Sequence, residues 1–271
     1  MDGYRFTTVG FLSDYGLADE FVGVCHGVIR RSAPGATVVD ITHGVPPHDV
    51  AAGALLLAQA VPYFPEAVHL AVVDPGVGSA RRGLVIETVS GSCLVGPDNG
   101  LLIPAARALG GAVTCVALPE DPEASPTFHG RDIFAPVAAL LATGAPLVRF
   151  GDRVPLGDLV VLGLPNAVVG EGTAAGEVLQ IDRFGNVATS ITPLLLEQVG
   201  IYPGEFLAVT VGNRQVQMRY GVMFDGVGVG EFVVLMDSHG LMTICRNQAS
   251  AATALAAGRG MKVTFARATR T

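Results

Sequence analysis

VHLAVVD, residues 68–74, is an apolar, β-rich run that stops on an acid and passes directly into PGVGSARR, residues 75–82. A short continuous apolar stretch closed by proline and glycine is the pattern of a strand buried on both faces. Upstream, RFTTVGFL (5–12) and TVVDIT (37–42) have the same character, and the segments between these runs, 19–32 and 50–61, read as helices. Strands alternating with helices predict an α/β fold, a mostly parallel sheet flanked by helices. Ligands of such sheets collect beyond the carboxyl ends of the strands. Asp14 and Asp74 fall there.

Downstream the alternation continues through LVIETV, SCLVGPDNG and AVTCVAL, with helices expected near 101–109 and 133–143. The residues LPNAVVGEGTAAG then have the proline, glycine and small-residue content of a connector. Beyond it come short strands with turn residues, including Gly-Asn at 212–213 and Ser-His-Gly at 238–240, which suit hairpins of a smaller C-terminal antiparallel β-barrel. The expected organisation is an α/β domain over 1–165, a linker over 166–176 and a β-barrel domain over 177–271.

Composition excludes several functions. A net charge of -7 and no basic cluster denser than Arg30-Arg31 or Arg81-Arg82 leave no footprint for nucleic acid or an acidic membrane. The apolar helix at 50–61, interrupted by Gln59 and followed by Pro62, is shorter than the roughly 20 residues a bilayer needs. Lysine occurs once, at Lys262, so Schiff-base chemistry and a lysine-bearing phosphate loop have almost nothing to run on. Four scattered cysteines without a CxxC pair, and an opening MDGYRFTTVGF without the basic start and apolar core of an export signal, lead us to expect a cytoplasmic protein. A small-molecule substrate is the expected partner.

Three polar residues stand out against this background: Asp74 and Arg81 in VVDPGVGSARR, and His129 in TFHGRDIF. A carboxylate, a guanidinium and an imidazole delivered from two loops can take a proton from water, which points to a hydrolytic enzyme. Each also has a plainer reading. PGVGSARR lacks the spacing of GxGxxG and serves equally as a tight connection, and His129 suits a helix start. IDRFGN (181–186) fits a turn, yet an aromatic face at Phe184 beside an amide at Asn186 is also what an adenine ring requires. His43, His48 and Asp49 could be imagined as metal ligands, but no helical HExxH is present and two prolines intervene, so no metal is expected. Without a GxSxG elbow, covalent catalysis by serine is disfavoured.

FLSDYGLADEFVG, DITHGVPPHD, VVDPGVGSARR, GPDNG, TFHGRDIFAP, IDRFGN and SHGLMTICRN, taken together and in this order, span nearly the whole chain. In this the sequence resembles the S-adenosylmethionine hydroxide adenosyltransferases, sisters of the fluorinase and chlorinase. The resemblance implies an N-terminal α/β domain, a C-terminal β-barrel, and a homotrimer with active sites between adjacent subunits. It also implies cofactor-free, in-line attack of activated water at C5′ of S-adenosylmethionine, releasing adenosine and L-methionine. On that resemblance Asp74, Arg81 and His129 are catalytic and Asp14 holds the ribose hydroxyls. Phe184 and Asn186 hold the adenine, Asp182 and Ser238 the methionine ammonium and carboxylate. His48, standing with Ala188 where the fluorinase has tryptophans, is assigned to ribose. His239 and Gln248 also depart from the fluorinase pattern, whereas Gly130 matches the chlorinase.

Two alternatives remain at this point: a halide-dependent 5′-halo-5′-deoxyadenosine synthase, and a non-catalytic adenosine-binding protein. The first is disfavoured because a carboxylate about 4 Å from a halide costs roughly 4 kcal/mol at an effective dielectric of 20, and a halide needs no base. The halogenases carry tyrosine at position 74 and lack the histidine. The second is disfavoured by retention of all three catalytic residue types.

Overall fold

In the computed structural model, which describes residues 5–268, the chain opens with β1 (Thr8–Ser13), α1 (Phe21–Ser32), β2 (Thr37–Thr42), α2 (Val50–Ala60) and β3 (Val68–Val72). There follow β4 (Gly83–Thr88), β5 (Cys93–Pro97), α3 (Ile103–Ala108), β6 (Ala112–Leu118), α4 (Ala135–Ala142) and β7 (Asp152–Arg153). The expected domains also took in residues 1–4 and 269–271, which lie outside the described residues. Contacts divide the chain into two compact units, one ending at Gly163 and one beginning at Leu164.

Successive residues of the first unit's strands go to different cores. Val68, Leu70 and Val72 of β3 pack with Cys25 and Ile29 of α1 and Ala138 and Leu141 of α4. Ala71, between them, packs with Leu57 of α2 and Ala105 of α3. Because side chains alternate across a strand, an uninterrupted apolar run can serve two faces only when helices cover both. The sheet runs β2-β1-β3-β5-β4-β6-β7. β2, β1, β3 and β5 are parallel, and β4 enters antiparallel between β5 and β6, so β6 again points with the first four.

The chain reaches β2 from β1 through α1 and then returns to the other side of β1 to make β3. This reversal leaves a crevice beyond the carboxyl ends of β1 and β3. Asp14 follows β1 by one residue and Asp74 follows β3 by two. Among the described residues no helix is long and apolar enough to cross a membrane.

The second unit contains β8 (Val168–Gly170), β9 (Thr173–Ile181), β10 (Val187–Thr189), α5 (Pro193–Gln198), β11 (Phe206–Val211) and β12 (Arg214–Tyr220). It ends with β13 (Phe232–Met236), β14 (Met242–Arg246), α6 (Ala251–Leu255) and β15 (Lys262–Arg267). Its order is β10-β14-β13-β12-β11-β15-β9-β8, and pairing of β9 with β10 closes seven strands into a barrel. Closure removes the exposed edges an open sheet would leave. Two details differ from the sequence expectation. The β12–β13 pair is parallel, because residues 221–231 carry the chain back before β13 begins. The stretch expected as a linker holds β8 and the start of β9, which pair antiparallel around Gly172 at φ +62°. Small residues and glycine there build a tight hairpin, a feature composition does not distinguish from a connector.

Candidate active site

Turns fold PGVGSARR back on itself. Val77 N–H donates to the Asp74 carbonyl, Ser79 N–H to the Gly76 carbonyl, and Arg81 N–H to Ser79 Oγ. Gly78 has φ +76°, and a Cβ there would lie 2.4 Å from the Pro126 carbonyl oxygen. Only glycine allows this approach of the loop to the segment preceding His129. From below, Asn99 of GPDNG donates its side-chain amide to the Val73 carbonyl at 2.8 Å, fixing the backbone that leads into Asp74.

The result is a continuous polar contact. Arg81 Nε lies 2.9 Å from Asp74 Oδ1 and 3.0 Å from Oδ2, and Arg81 Nη2 lies 2.5 Å from Asp74 Oδ2 and 2.7 Å from His129 Nδ1. The Asp74 and Arg81 side chains are 6% and 11% exposed. Arg81 also lies over the buried Phe134 ring, 5.2 Å from its centroid. A guanidinium has five N–H donors and no acceptor, so His129 Nδ1 must be the acceptor and the ring's proton sits on Nε2. Burial and then the Arg81 charge push the His129 pKa below its ordinary value, which keeps this neutral form. His129 stands at the mouth of a wide π-type turn, Gly130–Phe134, that leads into α4. Such turns recur at functional sites.

Asp74 and His129 line a cavity of about 280 Å³ together with Asp14 and His48. Asp14 Oδ2 accepts the His48 backbone N–H at 2.8 Å, and His48 adopts φ +67°, a strained conformation for a residue with a Cβ. Sequence reasoning missed the apolar wall: Tyr15, Phe21 and Phe128 also line the cavity and meet ring to ring, with centroids 5.1–5.8 Å apart. Their signal was present, since Tyr15 adjoins Asp14 and Phe128 adjoins His129. A Cβ on Gly130 would lie 2.1 Å from the Tyr15 hydroxyl oxygen. Burial, above all, raises the Tyr15 pKa, so it remains a neutral phenol. His129 and Arg81 border a wider cavity too, about 670 Å³.

In the second unit Asp182, Phe184 and Asn186 come together on the loop between β9 and β10. Asp182 Oδ1 accepts the backbone N–H groups of Phe184 and Asn186, and Oδ2 accepts the Asn186 side-chain amide at 2.7 Å. The acid therefore organises the turn. Phe184 is 77% exposed. These three residues, with Phe224, Arg246 and Gln248, line a cleft of about 690 Å³. Ser238 is not among the residues lining it; it sits in the β13–β14 turn, where Asp237 Oδ1 accepts the N–H groups of His239 and Leu241.

Residues 9–151 match the family described as SAM hydroxide adenosyltransferase N-terminal domain, and residues 176–264 match its C-terminal domain. The chain belongs to the SAM hydroxide adenosyltransferase family. A family member from Salinispora arenicola, named (R)-S-adenosyl-L-methionine hydrolase, is 48% identical over 93% of this chain and 95% of that relative. A fluorinase from Actinopolyspora mzabensis is more distant, 30% identical over 98% of this chain and 99% of its own. Among solved structures, an uncharacterized conserved protein from Thermotoga maritima superposes with a TM-score of 0.89 at 36% identity, covering 96% of this chain and all of that one. SAM hydroxide adenosyltransferase membership thus extends across both units, and within it this chain shares more residues with the hydrolase than with the fluorinase.

Proposed function

We propose that this chain hydrolyses S-adenosyl-L-methionine to adenosine and L-methionine by in-line attack of water at C5′. The observation that carries the reading is the unbroken contact from Asp74 through Arg81 to His129, whose two ends, Asp74 and His129, line one cavity. Greater identity to the (R)-S-adenosyl-L-methionine hydrolase than to the fluorinase supports it.

A sulfonium leaves as a neutral thioether and needs no protonation, so the difficulty lies in the nucleophile. Water's pKa of about 15.7 makes free hydroxide at neutral pH cost roughly 12 kcal/mol at 1.36 kcal/mol per unit. A positioned base must take the proton as attack proceeds. The donor assignment favours Asp74, because His129 Nδ1 is already engaged by Arg81 and Nε2 carries a proton. Asp74 Oδ1, with a single guanidinium contact, has a lone pair to spare. His129 Nε2–H then donates to the water oxygen and orients it, and Arg81 keeps both groups in place. General-base help of this kind is worth about 10²- to 10⁴-fold.

Asp14 and His48 hold the ribose in this reading, and Phe184 and Asn186 the adenine. Asp182 and Ser238 take the amino-acid end, which requires Asp182 to bind through lone pairs its turn leaves open. The protein acts in the cytoplasm as a homotrimer with active sites between adjacent subunits, and the reaction draws on no cofactor. The exposed Phe184 ring supports an assembly that covers it.

Incubation with S-adenosylmethionine in halide-free ¹⁸O-water, followed by mass spectrometry of the nucleoside, tests the activity. Label at the 5′ oxygen is expected; product that forms only on adding chloride would replace hydrolysis with halogenation. Light scattering should return three times the chain mass.

A further inference from the structure

We infer that His26, Asp40 and His43 form a binding site for a divalent transition-metal ion of the zinc type. None of the three lines the cavity of Asp74 and His129, and the inference does not depend on the proposed reaction. His26 comes from α1 and Asp40 from β2, and His43 follows β2 by one residue. The sequence placed His43 beside His48 and Asp49; the fold gives it different neighbours.

His26 Nε2 lies 2.8 Å and His43 Nε2 3.0 Å from the same oxygen, Asp40 Oδ1, and all three ligand atoms fall within 4.8 Å of one another. Four ligands around zinc at about 2.0–2.1 Å stand roughly 3.4 Å apart, so a modest turn of the part-exposed His26 ring completes the geometry. Two imidazole nitrogens and one carboxylate oxygen suit zinc and its first-row neighbours rather than calcium or magnesium, which prefer all-oxygen shells. The exposed side of Asp40 leaves room for water as a further ligand.

Two features show that the cluster is built rather than incidental. Residues 40 and 43 would face opposite ways on a regular strand. Between Phe11↔Asp40 and Leu12↔Thr42 the β1–β2 register skips Ile41, and this irregularity brings the two side chains to one side. Phe11 packs beside both imidazoles, its ring centroid 4.6 Å from that of His43, edge to face, and 6.0 Å from that of His26.

The second feature is His43 itself, 5% exposed and held through Nδ1 by Ser13 Oγ at 2.7 Å. Its Nε2 is buried without a hydrogen-bond partner: Asp40 Oδ1 is near enough but out of line. If Nδ1–H donates to Ser13, as metal-bound histidines donate through their second nitrogen, the Nε2 lone pair faces the carboxylate. A cation between them satisfies both.

The test uses the tag-free, full-length protein titrated with Co²⁺ and, separately, Zn²⁺. One equivalent of Co²⁺ per chain with visible absorption bands is expected, displaced by Zn²⁺, together with a rise in melting temperature on Zn²⁺ addition. His26→Ala and Asp40→Asn, both at part-exposed positions, should each weaken binding by at least about tenfold while their metal-free melting stays close to that of the parent. His239→Ala should bind as the parent does. Absence of a saturable site below about 0.1 mM, or equal binding by His26→Ala and the parent, would reduce the cluster to an aspartate shared by two histidines and overturn the inference.

Discussion

Nη2 of Arg81 lies 2.7 Å from Nδ1 of His129, and since arginine can only donate, the histidine is fixed as an acceptor. Protonating Nδ1 would set two donors against each other. With its pKa held below the ordinary 6.5 by burial and by Arg81, His129 is neutral through the physiological range and gains a proton only in more acid solution. The profile of kcat/KM against pH should therefore be flat near neutrality and fall along an acid limb whose midpoint lies below 6.5. His129→Asn keeps an acceptor for Arg81 but cannot titrate there, so the limb should move or vanish. An unchanged limb in that variant would assign the titration to another group.

Replacing Asp74 by asparagine preserves shape and removes the proton acceptor. Turnover should drop by at least about a hundredfold while adenosine affinity changes little. Single-turnover kinetics and calorimetry separate the two quantities, and near-parental turnover would take the base role away from Asp74.

Position 130 is confined by Tyr15. A serine there would place Cβ 2.1 Å from the Tyr15 hydroxyl oxygen, and the Tyr15 ring packs against both Phe21 and Phe128. Gly130→Ser should cost about 1–3 kcal/mol of stability as an overpacked site and raise KM for S-adenosylmethionine. Tyr15→Phe removes the offending oxygen, so the double variant should recover part of the stability loss. Strict additivity in denaturant melts would rule out the contact as the cause.

His69 on β3 is fully buried, neither ring nitrogen has a partner, and burial lowers its pKa to about 4. The unfolded chain takes up this proton as pH falls through 6.5, whereas the folded chain resists until about 4. Its contribution to stability is thus intact above 6.5 and is lost as pH falls from 6.5 to 4, by about 3 kcal/mol at 1.36 kcal/mol per unit. His69→Leu should be more stable at neutral pH by about 1–3 kcal/mol, since two unpartnered polar atoms disappear, and should lose stability less steeply in acid. Parallel curves of stability against pH would show that His69 is not the source.

Much of the N-terminal unit was legible because its strands are continuous apolar runs and its helices lie between them. The helices expected at 19–32 and 50–61 differ from α1 and α2 by a residue or two at their ends. The barrel strands were legible from alternation and from turns such as Gly212, at φ +56°. β8 was not, because three residues in a glycine-rich stretch carry no periodicity, and neither α5 nor α6 stood out among the strands.

Sequence by itself determined which chemical groups are available: Asp74 and Arg81 are seven residues apart on one glycine-rich loop, near enough for a single turn to join them. It determined also that the chain's apolar runs demand cover on both faces. Tertiary structure alone decided that His129, 48 residues beyond Arg81, meets its guanidinium, and that His43 faces Asp40 and His26 rather than His48. The reason is physical. Periodicity and turn chemistry act over a few residues, whereas the direction of a hydrogen bond, the tautomer of an imidazole and a one-residue register skip depend on atoms that only folding brings within 3 Å.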